Sequence, residues 1–257
     1  MLGAIVGDIV GSIYEFNNCC DKDFLPFFHP QAKITDDTVC TVAVADILLN
    51  QKDPATTLRD WCLRYEYVGG WGARFGQWFK REPLQPYGSF GNGAAMRVSP
   101  AAFLADSEEQ ALAWAEMVTV ITHDHPEGIK GAQATTLAIY RALQGEKPAA
   151  IRAAVSSTYG YDLSLSVDQI RPNYRYNESC QGCVPQAITC ALEAFSFEDA
   201  IRNAISIGGD SDTIAAIAGG IAEARFGVPE SHLGLARYGL TADMKLVLDA
   251  MYARRCA

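Results

Sequence analysis

The sequence predicts an all-α protein: a single compact orthogonal multi-helix bundle of roughly ten or more helices, with residues 1–257 forming one domain. Three observations carry this expectation. Nearly every periodic segment repeats its apolar residues at helical spacing. No stretch sustains period-two alternation bounded by hairpin turns. No Pro-, Ser- or Gly-rich linker and no charge block divides the chain, and 257 residues suffice for one large core.

The first helix is expected over residues 2–14. It carries glycine at Gly3, Gly7 and Gly11, an i, i+4 stripe that lets another backbone approach closely despite the cost in helix propensity. Residues 38–50 place Val39, Val42, Ala43, Asp46 and Ile47 on one 3.6-type face. Further helical patterns cover 54–66, 107–121, 127–143, 185–195, 197–206, 213–226 and 242–254, the last with Thr241 as its cap. Gly145 with Pro148, and Gly227 with Pro229, read as helix stops. Residues 155–175, with Tyr159, Tyr161 and several serines, are the least helical region, and a short hairpin there is the alternative.

Composition narrows the function classes. Apolar content of 49% with 20% charged residues describes a soluble globular protein. A net charge of −9 argues against unaided binding to nucleic acid or to anionic membranes. No run approaches the length of a membrane span. The amino terminus is apolar but carries Asp8 and lacks a basic start, which does not fit a signal peptide. Eight scattered cysteines in a chain of this length are expected to be free thiols in a reducing cytoplasm. Cys180-Gln-Gly-Cys183 is a single CxxC without a second pair, read as free thiols with zinc or redox use as the alternative.

Two acidic clusters carry the chemistry. One is ITDDT, with Thr35, Asp36, Asp37 and Thr38; the other is GGDSDT, with Asp210, Asp212 and Thr213. Each directly precedes an apolar, alanine-rich helical run. Carboxylates and hydroxyls are hard oxygen donors, suited to Mg²⁺, Mn²⁺ or Ca²⁺ rather than zinc. Two adjacent divalent ions would need this many carboxylates, and such a pair activates water. Asp210 and Asp212, two apart, diverge on a regular helix but can converge in a turn, for which Gly208 and Gly209 supply the backbone freedom. The plain alternative is that both clusters are N-caps.

Other candidates lie between them. Glu15, in YEFNN, is a base or acid beside the metals, or else a solvated helix-end carboxylate. GSFGNGAAMR, from Gly88 to Arg97, is a glycine loop before a helix start, whose amides can cradle a pyrophosphate; it lacks the GK[ST] ending of a nucleotide-hydrolase loop. His123 and His125, flanking Asp124, can bind a transition metal or donate to phosphate or ribose. Trp71, Phe75, Trp78 and Phe79 are spaced for core packing, with adenine stacking as the alternative.

Together these motifs resemble the ADP-ribosylglycohydrolase family, the relatives of dinitrogenase reductase-activating glycohydrolase. The resemblance runs through GAIVGDIVGSIYEF at 3–16, TDDT at 35–38, GSFGNGAAMRVSP at 88–100, TH at 122–123 and GGDSDTIAAIAGGIAEARFG at 208–227. It implies an all-helical fold with two divalent cations, Mg²⁺ first and Mn²⁺ second, and cleavage of the glycosidic bond between ADP-ribose and an acceptor. By position it implies Thr35, Asp36, Asp37, Asp210, Asp212 and Thr213 as metal ligands, and Glu15 as the acid beside them. It implies Gly88, Ser89, Phe90, Gly91, Asn92 and Gly93 as the loop holding diphosphate and ribose, with His123 contacting the ligand. Two departures stand out: Ser211 where Thr is usual, and Cys183 where an aromatic residue is common.

The implied reaction builds oxocarbenium character at the anomeric carbon. Glu15, or a ligand such as Asp36, is the candidate base. The expected partner is an ADP-ribosylated protein or small molecule, with arginine as the acceptor favoured. Two alternatives are a two-metal phosphodiesterase or phosphatase acting on a nucleotide, and a catalytically silent ADP-ribose binder.

Overall fold

A computed structural model describes residues 1–256. In chain order the helices are α1 (Leu2–Gly11), α2 (Asp36–Asn50), α3 (Pro54–Arg64), α4 (Ala73–Trp78), α5 (Gly93–Met96), α6 (Ser99–Leu104), α7 (Glu108–Thr119) and α8 (Pro126–Leu143). They continue with α9 (Pro148–Tyr159), α10 (Val167–Ile170), α11 (Cys180–Glu193), α12 (Phe197–Ser206), α13 (Ser211–Phe226), α14 (Glu230–Tyr238) and α15 (Ala242–Cys256). Among the described residues the only β pairing is one antiparallel bridge between Gly91 and Ser179. The fold is all-α, as the sequence predicts. No helix among the described residues is long and apolar enough to cross a membrane.

Helices α1 and α13 form the axis of the bundle, and both are buried nearly all round. The glycine stripe explains how close they come. A Cβ on Gly3 would lie 2.1 Å from the Gly219 carbonyl oxygen, and one on Gly7 would lie 2.0 Å from that of Ala215. A Cβ on Gly11 would lie 2.5 Å from Asp212 Cα. Backbone therefore packs on backbone, and any side chain here would force the two helices apart. This contact sets the end of α1 against the start of α13. Helices α8, α11 and α12 close around α13, and α2 lies against α1 and α3.

Several expected boundaries move for local reasons. Helix α1 stops at Gly11 rather than residue 14, because the Tyr14 amide turns back to the Gly11 carbonyl. Glu15 therefore sits in the turn beyond the helix. Helix α11 begins at Cys180 rather than 185. The Ser179 side chain caps it by accepting from the Gly182 amide, and Pro185 is accommodated inside. Pro148 opens α9 at its first turn, and Pro229 stands at the N-cap of α14; neither is only a stop. The region 155–175 holds the end of α9 and the short α10, capped by a Ser166–Gln169 capping box, in place of a hairpin. Thr241 precedes α15, but its hydroxyl donates to Asp243 Oδ1 instead of accepting from the helix.

Candidate active site

Four chain segments converge at one end of the α1–α13 axis. The turn after α1 brings Glu15. The start of α2 brings Thr35, Asp36 and Asp37. The loop into α5 brings Ser89 to Gly93, and the start of α13 brings Asp210, Asp212 and Thr213. All of these except Thr35 and Phe90 line a cleft of about 490 Å³, closed on its other sides by Trp71, Phe75, His123, Tyr176 and Glu178.

The α2 end is anchored from below by Asp8. This carboxylate is fully buried in α1 and accepts four hydrogen bonds. Thr35 gives its amide at 3.0 Å and its hydroxyl at 2.7 Å; Thr38 gives its amide at 3.1 Å and its hydroxyl also. Thr35 meanwhile caps α2, its oxygen accepting from the Asp37 amide at 3.3 Å. The cap reading and the site reading of this cluster thus hold together: the cap aims Asp36 and Asp37 into the cleft. Without Asp8 the four donors would be stranded, at about 1–3 kcal/mol for each one left unsatisfied.

The α13 end is set by its glycine pair. Gly208 and Gly209 have φ of +75° and +78°, so only glycine makes this turn without strain. Asn18 clasps it: its side-chain oxygen accepts from the Gly209 amide at 2.8 Å, and its amide group donates to the carbonyls of Gly209, Tyr14 and Glu15. The same asparagine therefore fixes the Glu15 turn against the GGDSDT turn. Ser211 points away from the cleft and donates to the Tyr14 carbonyl, so its departure from threonine changes no candidate ligand.

The two clusters, 176 residues apart in sequence at this contact, meet where the Thr213 hydroxyl donates to Asp37 Oδ2 at 3.2 Å. Carboxylate oxygens of Glu15, Asp210 and Asp212 lie within 4.8 Å of one another. Asn92 Nδ2 donates to Asp210 Oδ2 at 2.6 Å, which ties the glycine loop to the carboxylates.

Electrostatically the cluster lacks a counter-charge. Among the described residues, none of Glu15, Asp36, Asp37, Asp210 or Asp212 pairs with a lysine or arginine. Burial, then repulsion from neighbouring carboxylates, holds Asp36, Asp37 and Asp212 well above the usual carboxylate range. Glu15, half-buried, is pushed up to about 7 by burial and then by the Asp210 charge. Asp37 Oδ1 is buried with no hydrogen-bond partner. An all-oxygen donor set with an orphaned carboxylate oxygen and, among the described residues, no lysine or arginine paired with it fits hard divalent ions.

This gives a pH dependence whose sign is fixed. Each raised carboxyl favours its protonated form in the fold. That contribution to stability is present below the unfolded pKa and is lost as pH rises through the folded one. For Glu15 the window runs from its ordinary 4.5 to about 7. The melting temperature of metal-free protein should therefore fall between about pH 5 and pH 8. Added Mg²⁺ or Mn²⁺ should restore more of it at the upper end, because binding then displaces fewer protons. Calorimetry across that range, with and without chelator, reads both effects; a melting temperature indifferent to pH and metal would contradict the assignment.

The expected loop residues divide. Ser89, Gly91, Asn92 and Gly93 line the cleft, whereas Gly88 and Phe90 do not. The Gly88 amide goes to Asp124 Oδ1 at 2.7 Å, and Phe90 is exposed against the His125 ring. Three of the six amides are used within the protein: Gly88, Gly91 to Ser89 Oγ, and Asn92 to the Glu178 carbonyl. Only Gly88 has a positive φ; Gly93 matters for space, since a Cβ there would lie 3.3 Å from His123 Nε2, whereas one on Gly91 would meet nothing closer than 3.4 Å. His123 lines the cleft, but His125 caps α8, its Nδ1 accepting from the Glu127 amide, so the two histidines do not form a metal pair. Phe75, Trp78 and Phe79 are buried in the core, and Phe75 and Trp71 are part of the cleft wall. Cys180 and Cys183 are fully buried in α11, and burial pushes the Cys180 thiol up to about 12, which leaves no reactive pair.

A family model described as ADP-ribosylglycohydrolase matches residues 1–254. The chain belongs to the ADP-ribosylglycohydrolase family. Its hydrolase class follows from that membership. It is 27% identical to "ADP-ribosylarginine hydrolase Tri1" of Pseudomonas putida (strain GB-1) over 261 residues, covering 89% of this chain and 70% of that protein. It is 26% identical to human "ADP-ribosylhydrolase ARH3" over 313 residues, covering 90% of this chain and 86% of that one. Among solved structures, an "ADP-ribosylglycohydrolase-related protein complex" superposes with a TM-score of 0.73 at 22% identity, over 99% of this chain and 97% of that one. That likeness carries the ADP-ribosylglycohydrolase fold. Asp8 and Asn18, which hold the two acidic clusters in place, escape a reading of the sequence alone; the one available signal is a lone carboxylate inside an apolar, glycine-striped helix.

Proposed function

We propose that this chain is a metal-dependent hydrolase that cleaves the glycosidic bond between ADP-ribose and an acceptor, releasing ADP-ribose, with ADP-ribosyl-arginine as the favoured substrate. One observation carries the reading: carboxylate oxygens of Glu15, Asp210 and Asp212 lie within 4.8 Å of one another, in a cleft that the glycine loop and His123 also line. Thr35, Asp36, Asp37, Asp210, Asp212 and Thr213 would hold two divalent cations, Mg²⁺ in preference to Mn²⁺. When bound, such ions supply Lewis-acid activation of water and orientation of ribose hydroxyls.

The protein groups do the rest. The unused loop amides and His123 grip the diphosphate as a remote handle, so that the anomeric carbon is held over the carboxylates. Developing positive charge on the ribose is stabilised by the negative field of the cluster. Glu15 takes a proton from the attacking water, the C–O bond forms as the bond to the acceptor breaks, and the proton ends on the departing acceptor. Glu15 suits this role better than Asp36 because it is only partly buried on the cleft and stands outside the proposed ligand set.

Support for arginine is twofold. One relative is named for ADP-ribosylarginine. The cleft also carries Glu15, Glu178 and a stacked pair, Phe16 and Tyr176, with ring centroids 6.4 Å apart. A guanidinium is drawn both to carboxylates and to aromatic faces. The partner is then an ADP-ribosylated protein or small molecule, and seven described free cysteines fit a reducing compartment such as the cytoplasm. A panel of arginine-, serine- and nucleotide-end-linked ADP-ribose with Mg²⁺ tests the acceptor. The arginine linkage should be turned over fastest; a preference for serine or a nucleotide end would overturn that choice and leave the hydrolase reading in place.

A further inference from the structure

The cleft wall contains a buried hydrogen-bonded chain that the reaction as described does not use. Arg97 is 1% exposed and pairs with no carboxylate among the described residues. Its Nη2 donates to the Val118 carbonyl at 3.1 Å and to Thr122 Oγ1 at 2.7 Å. Thr122 Oγ1 lies 2.7 Å from His123 Nδ1. Thr122 is fully buried, so water cannot complete its bonding.

The proton positions follow from the donor inventory. Arginine has donors only, so Thr122 Oγ1 must accept from Arg97. The hydroxyl's own proton then needs an acceptor, and His123 Nδ1 is the one within reach. A proton on Nδ1 would aim two N–H donors at one oxygen and strand the threonine proton without water, at the cost of an unsatisfied buried donor. His123 therefore carries its proton on Nε2. Among the described residues that nitrogen has no hydrogen-bond partner, and it faces Gly91 and Gly93. Burial, and then the Arg97 charge, also hold the imidazole well below its ordinary range, which keeps it neutral.

We infer that Arg97 and Thr122 are positioning residues that lock His123 in its neutral Nε2–H form, so that it presents a single fixed donor to the diphosphate–ribose portion of the substrate. The inference rests on the ADP-ribose reading of the cleft. It also assigns a reason for a buried arginine with no carboxylate partner: its charge fixes the tautomer from behind and adds positive potential behind the anion-binding wall.

The test is nitrogen-15 spectroscopy of the histidine side chains in ligand-free protein, with His123 among four histidines assigned through His123→Gln. Wild type should show a neutral Nε2–H imidazole at about pH 7. Thr122→Val keeps the branched shape without the hydroxyl. It should mix in the Nδ1–H form and raise the dissociation constant for ADP-ribose, measured with Mg²⁺, by roughly three- to tenfold. Thr122→Ser should restore both. A wild-type His123 protonated on Nδ1 or on both nitrogens overturns the inference without recourse to any variant. So does an unchanged tautomer in Thr122→Val, or a changed tautomer with unchanged ADP-ribose affinity. If wild type binds no ADP-ribose, the substrate reading and the donor's role fall together, while the spectrum still decides the hydrogen-bonded chain itself.

Discussion

Replacing Asp212 by alanine is expected to reduce hydrolysis to background and to abolish the stabilisation given by added metal. Asp212 sits in the first turn of α13, buried, with Asp37, Asp210 and Glu15 as its charged neighbours. Its Oδ1 accepts from the Thr213 amide at 2.9 Å, which fixes the carboxylate's direction. Loss of a mere supporting partner of a metal ligand costs about 10–100-fold, so loss of a proposed ligand should exceed that. The fold should survive, because removing one of several mutually repelling buried carboxylates relieves strain in the metal-free protein. Asp210→Ala should behave alike, with an added loosening of the loop through Asn92, whose side chain would lose its acceptor. Isothermal titration with Mg²⁺ or Mn²⁺ and a turnover assay read the two effects separately. Full turnover in either variant would remove the carboxylate cluster from the reaction.

Glu15→Gln should separate chemistry from binding. The amide keeps the shape and removes the negative charge and the basicity. Turnover should fall by about 10²–10⁴ if Glu15 is the general base, while ADP-ribose affinity changes little. Glu15 accepts only a long hydrogen bond, 3.4 Å, from the Tyr176 hydroxyl, so little structure depends on its charge. The pH profile sharpens the test. Bound cations should draw the Glu15 titration below the value of about 7 that burial and Asp210 give it in the metal-free protein; activity should still fall on the acid side, and the variant should lose that limb. Near-normal turnover would make Glu15 a rim carboxylate and move the base to Asp36.

The parts of this site that were legible in the sequence share a property: their chemistry is local. Doubled acids beside threonine, ahead of an alanine-rich helix, present a candidate ligand set in five or six residues; in ITDDT Thr35 also caps the helix, whereas in GGDSDT Asp210 makes no side-chain cap. The α1 glycine stripe was legible for the same reason, since Gly3, Gly7 and Gly11 share a face wherever the helix packs. What was not legible depends on distant partners. Asp8 reads as one stray charge until Thr35 and Thr38 close around it. Asn18 reads as loop filler until it is found bridging Glu15 and Gly209. Arg97 and Thr122 have no meaning apart from His123 Nδ1. The missed helices α9 and α14 have a different cause. Proline both ends one helix and opens the next, and Pro148 and Pro229 were read only in the first sense.

The most direct test of the central claim is the mass of the product. Purified protein, stripped of metal and then resupplied with Mg²⁺, is given an ADP-ribosyl-arginine peptide, and the reaction is followed by mass spectrometry. The expected result is intact ADP-ribose together with the unmodified peptide, formed only when metal is restored. AMP with a ribose-phosphate left on the peptide would make the protein a phosphodiesterase, and equal release of ADP-ribose after exhaustive chelation would contradict the metal-dependent account.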